Sequence, residues 1–246
     1  MKIIAIRNKN DIDIEFLDEH HYVKEHVTYS NFKSSAVKNP FDKTIFGIGY
    51  LGLADGMWNV NRPKAEYNTW KNMIERCCVG NPYGKFSQKY EGVSCCEEWL
   101  CYQNFVEWFN IEKYDIGTER LHLDKDIKYK GNKIYSPYHC ILVPQSINEQ
   151  FKESSGRQKT IDTDLPYTIR RTKTNTVRYE VSYRGKYLGT FDTVEECIKV
   201  YLDSRKKYIV ELVDKYENMP INVKEIILNA TQGIPMKGIF YRQMEK

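Results

Sequence analysis

The sequence predicts an α+β protein whose strands and helices fall in separate stretches. These are an N-terminal small β module, a central strand–turn–strand–helix (ββα) domain, and a C-terminal three-stranded antiparallel sheet packed on one long helix. Three observations carry this reading. Apolar and polar residues alternate through Ile12–Phe16 and again through Arg178–Tyr183, the period of a half-buried strand. Apolar residues recur at helical spacing at Trp70, Met73, Ile74 and Cys77, and again from Val194 to Val213. Between them, Leu121 to Asn148 reads LHLDKDIKYKGNKIYSPYHCILVPQSIN. That is a short strand, a turn at Gly131-Asn132, an apolar run and a helix.

In chain order, residues 1–60 form the β-rich module. Ile3–Ile6 and Ile12–Phe16 are strands joined by a turn at Asn8–Asp11, and a third strand passes through Tyr22-Val23. The later run Gly47-Ile48-Gly49-Tyr50-Leu51-Gly52 spells G-x-G-x-x-G. No helix can follow it, because Asp55-Gly56 and Asn61-Arg62-Pro63 intervene, so it is a glycine-rich turn rather than a dinucleotide site. Residues 61–152 form the second domain. A helix is predicted over 64–79 and another from about Glu97, burying Cys101, Phe105, Trp108 and Phe109. On a strand, His122, Asp124 and Asp126 share one face. Lys152–Asp164 is polar, contains Ser154-Ser155-Gly156, and reads as a linker. Residues 165–216 supply strands around Tyr167–Arg171, Arg178–Tyr183 and Lys186–Phe191. Thr193 with Glu196 then makes a capping box for the long helix. A tail, residues 217–246, holds one short helix, Val223–Asn229.

Composition narrows the class. A hydrophobic content of 41% with 19 Tyr argues for folded cores rather than disorder. The net charge, 37 − 33 = +4, is mild, so nucleic-acid contact has to be argued from local charge. Between Tyr167 and Tyr187 the basic residues are Arg170, Arg171, Lys173, Arg178, Arg184 and Lys186, against the single acid Glu180. Such a one-sided sheet suits phosphate and guanine contacts. Seven cysteines with no C-x-x-C read as reduced thiols. Zinc is not expected, since Cys77, Cys95, Cys101, Cys140 and His139 fit no standard ligand spacing. No apolar run approaches a membrane span and no signal-peptide core opens the chain, so a cytoplasmic protein without a membrane partner is expected.

Two stretches resemble known families. The phrase LDKDI…YSP…C…VP…IN resembles the HNH (ββα-metal) motif of phage homing endonucleases, in a degenerate form. The resemblance implies Asp124 and Asn148 as ligands of one Mg²⁺. It departs at Lys125, where the general-base His belongs, and at His139, where the middle Asn belongs. The attacking water would then be activated by His122, or by Lys125 in its neutral form. The phrase YLGTFDTVEECIKVY resembles the Apetala-two/ethylene-response-factor type of DNA-binding domain, which also occurs in phage HNH endonucleases. That resemblance implies a sheet lying in the major groove of double-stranded DNA, with Arg170, Arg171, Arg178, Glu180, Arg184 and Tyr187 facing it. The expected function is therefore a phage or mobile-element DNA-binding protein, with a metal-dependent endonuclease centre. The alternatives are a catalytically inactive DNA-binding regulator and a phage counter-defence protein acting by protein contacts.

Overall fold

The computed structural model describes residues 1–53, 65–78, 90–152, 165, 168–173 and 176–231. The expected linker over 152–164 lies almost wholly outside them, as does the end of the tail. The α+β class and the two three-stranded antiparallel sheets expected at the ends of the chain are present. The chain divides into two compact units: Met1–Ile111 with Lys133–Pro137, and Glu112–Asn132 with Tyr138–Lys246.

The first unit opens with strands β1 (Lys2–Asn8), β2 (Asp11–Glu15) and β3 (Val23–Val27) in one antiparallel sheet, order β1-β2-β3. Its apolar face buries Ile12, Ile14, Phe16 and Val27. Helix α1 (Tyr29–Lys33) follows, with Thr28 accepting a cap bond from the Asn31 amide. The glycine run is a turn, as expected. Ile45 bridges Gly49, and a Cβ on Gly49 would press on Trp70 and Ile74 at 3.1–3.3 Å. Gly52 holds φ +66° against the Cys101 thiol, where a side chain would clash at 2.7 Å.

Helix α2 (Ala65–Arg76) buries the expected Trp70, Met73 and Ile74. Trp70 donates from its indole nitrogen to the Trp99 carbonyl at 2.8 Å. The next helix starts later than its sequence suggests. Glu97–Leu100 is only a 3-10 turn, Cys101 is extended, and helix α3 runs Tyr102–Glu112. The cause is tertiary: Cys101 bridges Tyr50, whose amide bonds Leu100 and whose carbonyl takes the Tyr102 amide. A two-residue strand β4 (Ser94–Cys95) pairs in parallel with β6 (Ile134–Tyr135) in the same unit.

The second unit contains strand β5 (Leu121–Asp124), strand β7 (Ile141–Pro144) and helix α4 (Gln145–Phe151). β5 and β7 are antiparallel, with Leu121 opposite Pro144, His122 opposite Val143, Leu123 opposite Leu142 and Asp124 opposite Ile141. Strands β8 (Ile169–Arg171), β9 (Tyr179–Tyr183) and β10 (Lys186–Phe191) form the sheet β10-β9-β8. The β9–β10 connection is the two-residue turn Arg184-Gly185, both at positive φ, as a hairpin of this hand requires.

Helix α5 (Val194–Lys215) begins in the expected capping box. Thr193 accepts from the Glu196 amide, and the Glu196 carboxylate takes the Thr193 amide. Its 22 residues span about 33 Å, enough to serve two cores. The N-terminal half buries Cys197 and Tyr201 against Ile169 and Val181 of the sheet. The C-terminal half buries Ile209, Leu212 and Val213 against Ile141, Val143 and Ile147, joined by Val223 and Ile227 of helix α6 (Ile221–Ala230). The boundaries expected from sequence, 61–152 and 165–216, therefore do not separate two bodies. The strand pair and its helix share a core with α5 and α6, while α2 and α3 belong to the other unit.

Candidate functional site

The ββα unit is built by short-range rules. Alternation puts His122 and Asp124 on one face of β5, and directly opposed residues share that face, so Val143 and Ile141 lie beside them. α4 follows β7 without a loop and packs on both strands, bringing buried Asn148 back to the face of β5. There Asn148 Nδ2 lies 3.3 Å from His122 Nδ1. Which atom carries the hydrogen depends on the imidazole tautomer and the orientation of the amide.

Asp124 closes the end of β5. Its Oδ1 accepts from the amides of Asp126 and Ile127, each at 2.7 Å. Burial raises the Asp124 pKa above the usual carboxylate range, and those two amides offset only part of that rise. Lys125 is buried and points into a different set of contacts. Its Nζ donates to both oxygens of Asp126 at 2.8 Å and to the Asn132 carbonyl at 2.6 Å, while Asn132 Nδ2 returns to the Lys125 carbonyl at 3.0 Å. In these contacts Lys125 is a donor that closes the loop from 125 to 132.

The start of α4 is held by groups far away in sequence. Glu119 accepts from the Ser146 amide and from the Tyr216 hydroxyl, and the Ser146 and Tyr216 hydroxyls are 2.8 Å apart. Burial pulls the Glu119 pKa upward, but hydrogen bonds from Tyr216 and Ser146, with Lys215 nearby, outweigh it and leave the net shift downward. At the other end of α4, buried Arg205 of α5 donates to the Gln150 carbonyl, and Tyr183 of β9 bonds the Gln150 side chain at 3.3 Å. Burial lowers the Arg205 pKa from its ordinary value. No sequence pattern announces these ties, because each joins residues that only packing brings together.

The C-terminal sheet sorts the expected DNA-facing residues by parity. Arg170 stands opposite Glu180, Glu180 opposite Thr190, and Tyr187 opposite Ser182, all on the face away from α5. Arg171 falls on the other parity, level with Ile169 and Tyr179 on edge strand β8, although it is exposed. Arg178 flanks β9 and pairs with Asp192 at 2.7 Å. Arg184 does not join them: its guanidinium lies over the Tyr208 ring of α5 at 4.1 Å. Lys173 and Lys186 are exposed at the sheet's ends.

The chain matches no protein-family model, no curated protein and no solved structure.

Three other features bear on metals, thiols and membranes. Asp11, Asp13 and His26 gather their ligand atoms within 4.8 Å of one another, the one such group of three among the described residues. Arg7 lies in that group. It bonds Asp11 and Asp13, and these bonds lower both carboxyl pKa values, so the cluster reads as an ion-pair network. The seven cysteines stand as thiols with no disulfide between them. Among the described residues no helix is long and apolar enough to cross a membrane.

Proposed function

We propose that the protein binds double-stranded DNA through the outer face of its C-terminal sheet, and that its ββα unit is a Mg²⁺-dependent centre for phosphodiester hydrolysis of the HNH type. The observation that carries the reading is the His122–Asn148 contact across the strand–helix junction, with Asp124 on the same strand face. The donor set fits a hard cation. Asp124 commits Oδ1 to two amides and keeps Oδ2 as a ligand oxygen, and Asn148 offers an amide oxygen. These two residues would hold the ion. Bound there, Mg²⁺ supplies electrostatic stabilisation of the charge that gathers on the phosphoryl and leaving oxygens.

The remaining work belongs to the chain. His122 takes the proton of the attacking water at Nε2, which requires the other proton to sit on Nδ1. Asn148 fixes that tautomer when its amide is turned so that Oδ1 accepts Nδ1–H, and the second lone pair of the same oxygen remains for the cation. Lys125 acts by position, holding the loop that follows Asp124 through Asp126 and Asn132. Arg170 and Tyr187 meet the duplex from the sheet, with Lys186 at its end.

A second reading, a DNA-binding regulator without catalysis, is favoured by one observation. The residue standing in place of the usual base is a lysine already engaged by three acceptors. Nicking of supercoiled DNA in Mg²⁺ against chelator separates the two. The nuclease reading expects Mg²⁺-dependent nicking that rises with pH, a loss of about 10²–10⁴ in His122→Ala, and no cleavage in Asp124→Ala at unchanged DNA affinity. Independently of activity, Mg²⁺ should raise the melting temperature of the wild type and not of Asp124→Ala. Cleavage that persists in Asp124→Ala would remove this metal site from the mechanism. Intact DNA affinity with no cleavage under any metal selects the regulator.

A further inference from the structure

The stretches 126–132 and 138–140, which flank the segment holding β6, carry an aromatic and cationic cluster that the proposed chemistry does not use. Tyr129 and Tyr138 stack with ring centroids 5.4 Å apart and planes inclined by 21°. The His139 ring stands edge-on to both, at 5.5 and 5.0 Å. Lys128 reaches over the pair, its Nζ 4.8 Å from the Tyr138 centroid and 5.6 Å from that of Tyr129, and it donates to the Tyr138 carbonyl at 2.5 Å. These contacts fix both rings before any ligand arrives. Even so, Tyr138 is 64% exposed and Tyr129 38%.

We infer that this tyrosine pair is a stacking shelf for an unstacked nucleobase of single-stranded DNA. The inference rests on the DNA-binding reading and adds a substrate form to it. Three observations select this ligand. The two rings are stacked and Tyr138 is largely exposed, an aromatic surface that a planar base can add to. Lys128 lies over both rings and Lys130 follows Tyr129 in the chain, with no acid from Ile127 to Asn132, so this stretch is cationic and suits a phosphate backbone. The tyrosines carry hydroxyls of their own and lie under the Lys128 ammonium, which suits a base and its phosphate better than an aliphatic side chain. The two stretches leave and rejoin the strand pair at its Asp124/Ile141 end, so the shelf adjoins the proposed centre along the chain. It would thus favour DNA with a frayed, nicked or bulged strand there.

The test uses the full chain and fluorescence anisotropy at one fixed salt concentration, with a labelled oligothymidylate and a labelled duplex. Tyr138→Ala should bind the oligothymidylate about tenfold more weakly and the duplex as the wild type does. Tyr138→Trp should keep or strengthen single-strand binding, because the larger ring face is retained. Equal oligothymidylate affinity for Tyr138→Ala and the wild type overturns the shelf, as does a Tyr138→Trp variant as weak as Tyr138→Ala. A wild type that binds duplex but no oligothymidylate overturns the shelf alone. A wild type that binds neither removes the DNA-binding reading with it.

Discussion

At the scale of single residues, two arginines that look alike in sequence have different surroundings. Arg170 lies on the outer face of the sheet opposite Glu180, whereas Arg184 sits in a turn at φ +52° with its guanidinium on the Tyr208 ring. A non-glycine residue in that backbone region carries strain, and the stacking contact offsets it. Arg170→Ala should therefore weaken duplex binding and lower the salt slope by about one unit, with thermal stability unchanged. Arg184→Ala should cost about 1 kcal/mol of stability and move duplex affinity less than Arg170→Ala does. Equilibrium unfolding and a salt series on both variants read the two effects separately. An Arg184→Ala variant with normal stability and weakened DNA binding would return that residue to the interface.

At the scale of elements, helix α4 is short and has no side-chain cap of its own, since Pro144 precedes it. Glu119 supplies what the helix lacks, accepting the Ser146 amide at the positive helix end while Tyr216 anchors the carboxylate. The consequence is a pH dependence with a definite sign. A carboxylate whose folded pKa is depressed binds fewer protons folded than unfolded, so stability rises with pH through that window. The contribution is fully present above the unfolded pKa of about 4.3 and is lost as pH falls through the lower folded value. Urea midpoints followed on acidification should fall for the wild type, and Glu119→Gln should be less stable near neutrality with a flatter acid limb. Parallel acid limbs for the two proteins would show that Glu119 is not the titrating group.

At the scale of the molecule, α5 makes one body of elements that serve two proposed tasks. Its first half seats the sheet and its second half seats the ββα unit, with Arg205 between them bonded to the end of α4. A loss in the second core should therefore reach the candidate centre. Ile227 of α6 is fully buried in the cluster that contains Ile141, Val143 and Ile147. Ile227→Ala should cost about 2–5 kcal/mol and lower hydrogen-exchange protection in β7 and α4 along with α6. Protection that drops in α6 alone would mean the ββα unit holds together without it.

Much of this was legible in the chain itself. The alternation in 178–183, the stripe of α2, the Thr193–Glu196 box and the order strand, strand, helix over 121–151 are local patterns. They report what each segment must bury and how it must start, and the elements followed. Strand parity alone put His122 and Asp124 on one face, whereas Asn148 was singled out by the resemblance to the HNH motif. What only the tertiary structure decided involves partners far apart in sequence. Cys101 delays α3 because it pairs with Tyr50, Lys125 is claimed by Asp126 and Asn132, Arg184 turns to Tyr208, and Glu119 finds Tyr216. The largest of these decisions is that α5 closes two cores, so that stretches read as separate domains fold as one unit. The physical reason is that periodicity and capping act over one or two turns of chain. Which apolar face meets which, and which donor meets which acceptor, is settled only when the faces pack and desolvate together.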